Sequence, residues 1–188
     1  PSAYGYQLQN PNRKSGVREC FVPRPGYWLL SCDYEGHELR TWSFVCLKML
    51  GYSRMAEVLN AGIDPHAIVA ALLARVDYNE AMQALEGALG PDKQKEFKNT
   101  YRQIGKIANF GFPGGMGVAR FAAQAKSEYG MPLTLETAAE ARNAWRNSWP
   151  EGPEYHKTVA KHLENTGTIQ HLISGRLRGG LTFCDGCN

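Results

Sequence analysis

The sequence predicts an α+β chain that is predominantly helical. Apolar residues recur at helical spacing through most of its 188 residues. Asp-Pro, Gly and Gly-Pro punctuate those segments where helices should start and stop. Apolar runs short enough for strands are confined to Tyr27–Asp33 and Thr168–Ile173.

Residues 1–26 read as irregular or extended, because Pro11, Pro23, Pro25 and Gly26 interrupt any helix. Tyr27–Asp33 reads as a buried strand, too short for a helix and bounded by Pro-Gly. Its terminal carboxylate, Asp33, would be presented at an edge. Leu39, Trp42, Cys46, Met49 and Leu50 mark a helix over His37–Leu50, stopped by Gly51. Asp64 caps a further helix, with Pro65 at its first position, running to about Arg75. A further helix is expected over Asn79–Leu89, before Gly90-Pro91, and Asp92 then caps a long helix from Lys93 to Asn109. A Gly-rich stretch from Gly111 to Gly117 ends it. Val118–Tyr129 and Thr137–Trp149 follow as helices, Pro150–Pro153 is a break, and Glu154–Asn165 is helical again.

Composition narrows the function. Against 18 Asp+Glu stand 21 Lys+Arg, a formal charge of +3, which excludes a histone-like binder but not a local basic groove. No run of about 18 apolar residues occurs, so no membrane-spanning helix is expected. The first ten residues lack the basic start and apolar stretch of a secretory signal. With no initiator Met, the expectation is a segment of a longer, intracellular protein. The five cysteines are an odd number, and Cys20, Cys32 and Cys46 stand singly, which argues for a reducing compartment. Cys184 and Cys187 form one CxxC, short of the four ligands of structural zinc even with His171 nearby.

Two constellations carry chemistry. On the long helix Arg102, Lys106 and Phe110 fall within an arc of about 80°. Two cations and a ring suit a nucleotide, the cations gripping phosphates and the ring packing on sugar or base. A solvated basic face with Phe110 in the core fits the same pattern. The glycine-rich loop follows this helix, so it is not a P-loop. The second constellation is Asp33-Tyr34-Glu35-Gly36-His37-Glu38-Leu39-Arg40. Its carboxylates could ligate Mg²⁺, or Asp33 could simply cap the next helix.

Together, in this order, the two stretches resemble the family A (Pol I-type) DNA polymerases. Asp33 to Arg40 resembles the motif A pattern DYSxIELR. Arg102-Gln-Ile-Gly-Lys106-Ile-Ala-Asn-Phe110-Gly111-Phe-Pro-Gly114-Gly115 resembles the motif B pattern RxxxKxxxFGxxYG. Leu8-Gln9-Asn10 with Arg18 and Phe21 resembles the LQN…RxxF lead-in, Asp64-Pro65-His66 the D-x-H, and Gly175-Arg176 the GR turn. The resemblance implies a partial right-hand polymerase fold, palm strand plus helical fingers. Residues 1–52 would be palm with motif A, 53–173 fingers with motif B, and 174–188 the return to the palm.

The implied reaction is template-directed DNA synthesis, nucleotidyl transfer from a dNTP to a primer 3′-hydroxyl by two Mg²⁺ ions. By resemblance, Asp33 and the backbone carbonyl of Tyr34 bind metal. Arg102, Lys106 and His66 meet the triphosphate, with Lys106 donating a proton to the leaving group. Phe110 packs on sugar and base, and Glu38 fills the space of a ribose 2′-hydroxyl. Asn10, Arg18, Gly111, Gly114, Gly115 and Asn188 lie along the primer–template DNA.

Departures accompany the matches. The motif B tyrosine that abuts the template is Gly114 here, so Phe112 or a group outside the chain would supply that contact. Glu35-Gly36-His37 replace the usual Ser-Gln-Ile, and Cys184 stands where an arginine is expected. The Phe112-Pro113-Gly114-Gly115 variant resembles phage-type members more than cellular repair enzymes. The second metal carboxylate, in an HDE motif, and the thumb are absent from these residues. The expectation is therefore an inactive fragment that needs the remainder of a polymerase as partner. The rival readings are a non-catalytic nucleic-acid-binding module and one half of a split polymerase.

Overall fold

In the computed structural model the described residues are 16–187. The chain divides into two units, Pro1–Glu35 and Gly36–Asn188, of which the described residues are 16–35 and 36–187.

The described part of the first unit is a short 3₁₀ turn, Arg18–Cys20, followed by extended chain. The strand expected over Tyr27–Asp33 does not form. Those residues carry no ladder hydrogen bonds, and Trp28 and Leu30 are 94% and 89% exposed. The physical reason is pairing: a strand is held by its neighbours, and the one sheet among the described residues is made by Thr168–Gln170 with Leu177–Gly179 alone. An apolar run encodes the tendency to be covered, not the cover itself.

The second unit is helical. Helix α1 spans His37–Leu50, and α2 Arg54–Asn60. Then follow α3 (Pro65–Ala74) and α4 (Tyr78–Glu86). A long helix runs through three registers, α5 (Pro91–Glu96), a π-helical turn (Phe97–Tyr101) and α6 (Arg102–Gly111). Helices α7 (Val118–Tyr129), α8 (Leu135–Ser148) and α9 (Glu151–Thr166) complete the bundle. Strands β1 (Thr168–Gln170) and β2 (Leu177–Gly179) and a short α10 (Phe183–Cys187) close it.

The boundaries follow from caps. Asp64, Asp77 and Thr134 accept backbone N–H bonds at the starts of α3, α4 and α8. Gly87 at φ 87° ends α4 three residues earlier than the expected Leu89. Asp92 is not the cap of the long helix; Gly90 is, with Pro91 at the first helical position, where its lack of an N–H costs nothing. For the same reason Pro150–Pro153 is not a break: Glu151, Gly152 and Pro153 form the first turn of α9. Helix α2 and strand β2 were not expected.

The core lies between α1, α6, α8 and α9. Trp145 and Trp149 are fully buried, Trp42 packs on Trp145 with centroids 5.9 Å apart, and Phe112 stacks on Phe121 at 4.6 Å. Glu151 is buried as well. It accepts hydrogen bonds from Ser53 Oγ (3.0 Å) and Met55 N (2.8 Å), tying the start of α9 to the start of α2.

Among the described residues no single helix is long and apolar enough to cross a membrane. All five cysteines are free thiols.

Candidate nucleotide site

The site is built where α3 crosses α6. Gly105 makes the close crossing possible: a Cβ there would lie 2.6 Å from the carbonyl oxygen of His66 and 3.4 Å from the backbone N of Ala70. Ile104, Ile107 and Ala108 face the core, which leaves Arg102, Lys106 and Phe110 on the opposite, outward side of the helix. Lys106 is exposed, and Arg102 and Phe110 are half-buried. The π-helical turn ends directly before Arg102, whose N–H donates to Phe97 O, so α6 starts with its register reset.

Arg102 Nε donates to Asp64 Oδ2 at 2.8 Å, while Asp64 Oδ1 accepts from the backbone N–H of His66 at 2.8 Å. Asp64 thus caps α3 and steadies the guanidinium of α6. His66 stands beside both: its ring centroid is 5.7 Å from that of Phe110, and Asn109 Nδ2 is 3.0 Å from its Nδ1. Burial pushes the His66 imidazole down to about 4; Asp64 opposes this shift and Arg102 and Lys106 add to it. At neutral pH the ring is therefore uncharged. Lys106 and Arg102, set against Asp64, leave the cluster one net positive charge.

Phe110 also lines a cleft of about 840 Å³. Its lining includes Glu38 and Trp42 of α1, Phe110 and Gly114, and Tyr155 of α9. Of the residues expected in a nucleotide site, Arg102, Lys106, His66 and Phe110 are thus gathered in one cluster. Glu38, Phe110 and Gly114 line one cleft. Phe110 belongs to both.

The loop after α6 is pinned. Pro113 O accepts from His156 Nε2 at 3.1 Å, and Gly115 O from Cys184 Sγ at 3.5 Å. Gly115 has φ 73°, and a Cβ there would meet the Phe183 ring at 2.7 Å, so this glycine is required by both backbone and space. A Cβ on Gly111 would lie 3.0 Å from Met116 Sδ. Phe112 is 1% exposed in its stack on Phe121, so its ring is not presented outward, while Phe183 packs against the loop at Gly115.

Asp33 and Tyr34 lie in the first unit and are exposed. Asp33 does not cap α1. The N-cap is Gly36 in a left-handed conformation (φ 62°) with no side-chain cap bond. One carboxylate oxygen pair suits Mg²⁺, but no group of three or more His, Cys, Asp or Glu able to hold a metal exists among the described residues. These residues alone do not fit a two-ion centre, nor do Cys184, Cys187 and His171 form a zinc set. The Gly175-Arg176 pair forms the turn of the β1–β2 hairpin, with Gly175 at φ 69° and His171 N donating to Arg176 O at 2.9 Å. Arg18 lies in the 3₁₀ turn; Asn10 and Asn188 fall outside the described residues.

Sequence reasoning missed Gly105, Asn109 and Trp149, and saw Asp64 as a cap without its ion pair. A buried Asn between Ala108 and Phe110 was the available signal, since an amide inside an apolar helix face must bond to something.

Residues 7–179 match the model of the family described as DNA polymerase family A. The chain is 26% identical over 182 residues to a DNA polymerase I of Aquifex aeolicus (strain VF5), covering 96% of this chain and 28% of that protein. It is 26% identical over 161 residues to a DNA polymerase of Mycobacterium phage D29, covering 86% of this chain and 22% of that one. The chain therefore spans less than a third of the length of either relative. A match over so much of the chain, on residues whose side chains converge around one helix, makes it a member of DNA polymerase family A.

Proposed function

We propose that this chain supplies the nucleotide-handling part of template-directed DNA synthesis, in which a primer 3′-hydroxyl displaces pyrophosphate from a dNTP. The observation that carries the reading is the double placement of Phe110. Its ring lies 5.7 Å, centroid to centroid, from that of His66 in the cluster with Arg102 and Lys106, and it also lines the cleft that contains Glu38. A nucleoside triphosphate has that polarity, phosphates at one end and sugar and base at the other.

In this reading Lys106 and the outer N–H donors of Arg102 meet the phosphates, Nε being held by Asp64. Lys106 is also the proton donor to the leaving pyrophosphate. His66 adds a neutral N–H, Phe110 packs on sugar and base, and Glu38 crowds the sugar's 2′ position, which favours deoxynucleotides. Asp33 with the Tyr34 carbonyl is the metal-binding pair, and Mg²⁺, when bound, would polarise the phosphates; its remaining ligands come from elsewhere. Gly111, Gly114 and Gly115 give DNA close approach to the backbone, with Asn10, Arg18 and Asn188 along the primer–template path. Residues 1–52 and 174–188 belong to the palm and 53–173 to the fingers. The work is done inside a cell, in the host cytoplasm if the protein is phage-encoded.

Calorimetric titration with a dNTP tests this. Weak binding is expected, given one net positive charge, and Arg102→Ala with Lys106→Ala should reduce it at least about tenfold, from two lost charged contacts. Unchanged affinity in the double variant overturns the reading. Binding of primer–template that ignores both dNTP and the double substitution would favour a non-catalytic nucleic-acid module instead.

A further inference from the structure

We propose that Trp149 and Asn109 are positioning residues that hold His66 in one tautomer, with its proton on Nε2 and a lone pair on Nδ1. The imidazole then meets its ligand as a hydrogen-bond donor, not as a cation or a base. The consequence for the nucleotide rests on the function proposed above; the tautomer does not.

A chain of hydrogen bonds whose directions are forced leads from Trp149 through Asn109 to His66. Indole Nε1 only donates, and Trp149 Nε1 lies 2.9 Å from an Asn109 side-chain atom, which must be Oδ1. The other end of the amide, Nδ2, is 3.0 Å from Pro65 O, a carbonyl that only accepts. Two independent partners therefore fix the amide's orientation. A flipped amide would set two donors against each other at Trp149 and two acceptors at Pro65. Nδ2 has one further hydrogen, and it points to His66 Nδ1 at 3.0 Å. That ring nitrogen has to accept, so it carries no proton. An imidazolium would face N–H against N–H.

The chain is anchored in the core. Asn109 and Trp149 are both 0% exposed, so neither can turn to water for a substitute partner. The charged groups beside the ring are Asp64, which favours an imidazolium, and Arg102 and Lys106, which oppose it; Tyr78 of α4 touches the cluster through its hydroxyl, 3.3 Å from Asp64 N. Burial outweighs Asp64 and drives the imidazole down to about 4, in agreement with the geometry. Nε2 takes part in no hydrogen bond among the described residues.

Long-range ¹H–¹⁵N spectra of the labelled chain, without nucleotide, read the protonation of each ring nitrogen. At neutral pH the expected result is a bare Nδ1 and a protonated Nε2. Asn109→Asp puts a carboxylate against Nδ1 and should move the proton there and raise the His66 titration by at least about one pH unit. If that variant fails to fold, Asn109→Leu removes the donor to Nδ1 altogether; it should give a mixture of tautomers in a folded chain. A protonated Nδ1 in the wild type overturns the proposal, as does an unchanged tautomer in folded Asn109→Asp or Asn109→Leu. His66→Gln keeps an N–H donor and an acceptor for Asn109, so it should lose less dNTP affinity than His66→Leu does. Equal losses in the two variants overturn the donor role. A chain with the expected tautomer that binds no dNTP overturns the proposed function and leaves the tautomer lock standing.

Discussion

Asp64 answers to two helices at once. Its Oδ1 caps α3 and its Oδ2 holds Arg102 at 2.8 Å, with both side chains partly exposed. Asn is as good a cap as Asp, and a half-exposed ion pair contributes about 0–1 kcal/mol. Asp64→Asn should therefore shift the denaturation midpoint little. It should tighten triphosphate binding, because it removes a carboxylate from the cluster. Weaker binding would mean that anchoring Arg102 outweighs the local charge. His66 makes a separate prediction about acid. Its folded value of about 4 lies below the ordinary 6.5, so the native state binds fewer protons there than the unfolded chain. The associated stability is present in full above pH 6.5 and is lost as pH falls towards 4. The difference in Tm between wild type and His66→Gln should shrink over that window. A pH-independent difference would contradict it. His156, also lowered by burial, keeps part of the slope in the variant.

At the scale of elements, the crossing of α3 on α6 decides whether the cluster exists. Gly105→Ala would push a methyl to 2.6 Å from a backbone oxygen that cannot rotate away. Overpacking costs about 1–3 kcal/mol, against a helix-propensity gain of up to about 1 kcal/mol, so a net loss of stability is expected in a denaturant titration. The His66 resonances should shift as the Asn109 contact lengthens; an unchanged spectrum and midpoint would contradict the tight crossing. Most of this architecture was legible from residues. The bounds of α1 and α7 follow from their apolar period and terminal glycines, and Asp64-Pro65 announces α3. What was not legible is pairing. Tyr27–Asp33 has strand composition without a strand beside it, and β2, Leu177–Gly179, has no apolar signature but pairs with β1. The π-helical turn before Arg102 has no local code either. The site residues on one helix face could be read from spacing, whereas Asn109 and Trp149, 40 residues apart, meet only through tertiary packing.

For the whole molecule, the described residues bring together the Arg102–Lys106–His66 cluster and a cleft of about 840 Å³, but no carboxylate group able to hold two metal ions. Two-metal transfer places its ions roughly 3.5–4 Å apart, which needs several anionic ligands. The 188-residue chain with Mg²⁺ and dNTPs should therefore not extend a primed template. Extension that disappears in Asp33→Ala would refute this. The most direct test of the central claim, that a triphosphate lies along Arg102, Lys106 and His66 with its sugar beyond Phe110, is a binding series. The wild-type chain is titrated with dNTP, dNMP and deoxynucleoside, alongside Lys106→Ala. Affinity should fall with each loss of phosphate, and the preference for dNTP should collapse in the variant. Equal affinity for all three ligands, or a preference that survives Lys106→Ala, would contradict it.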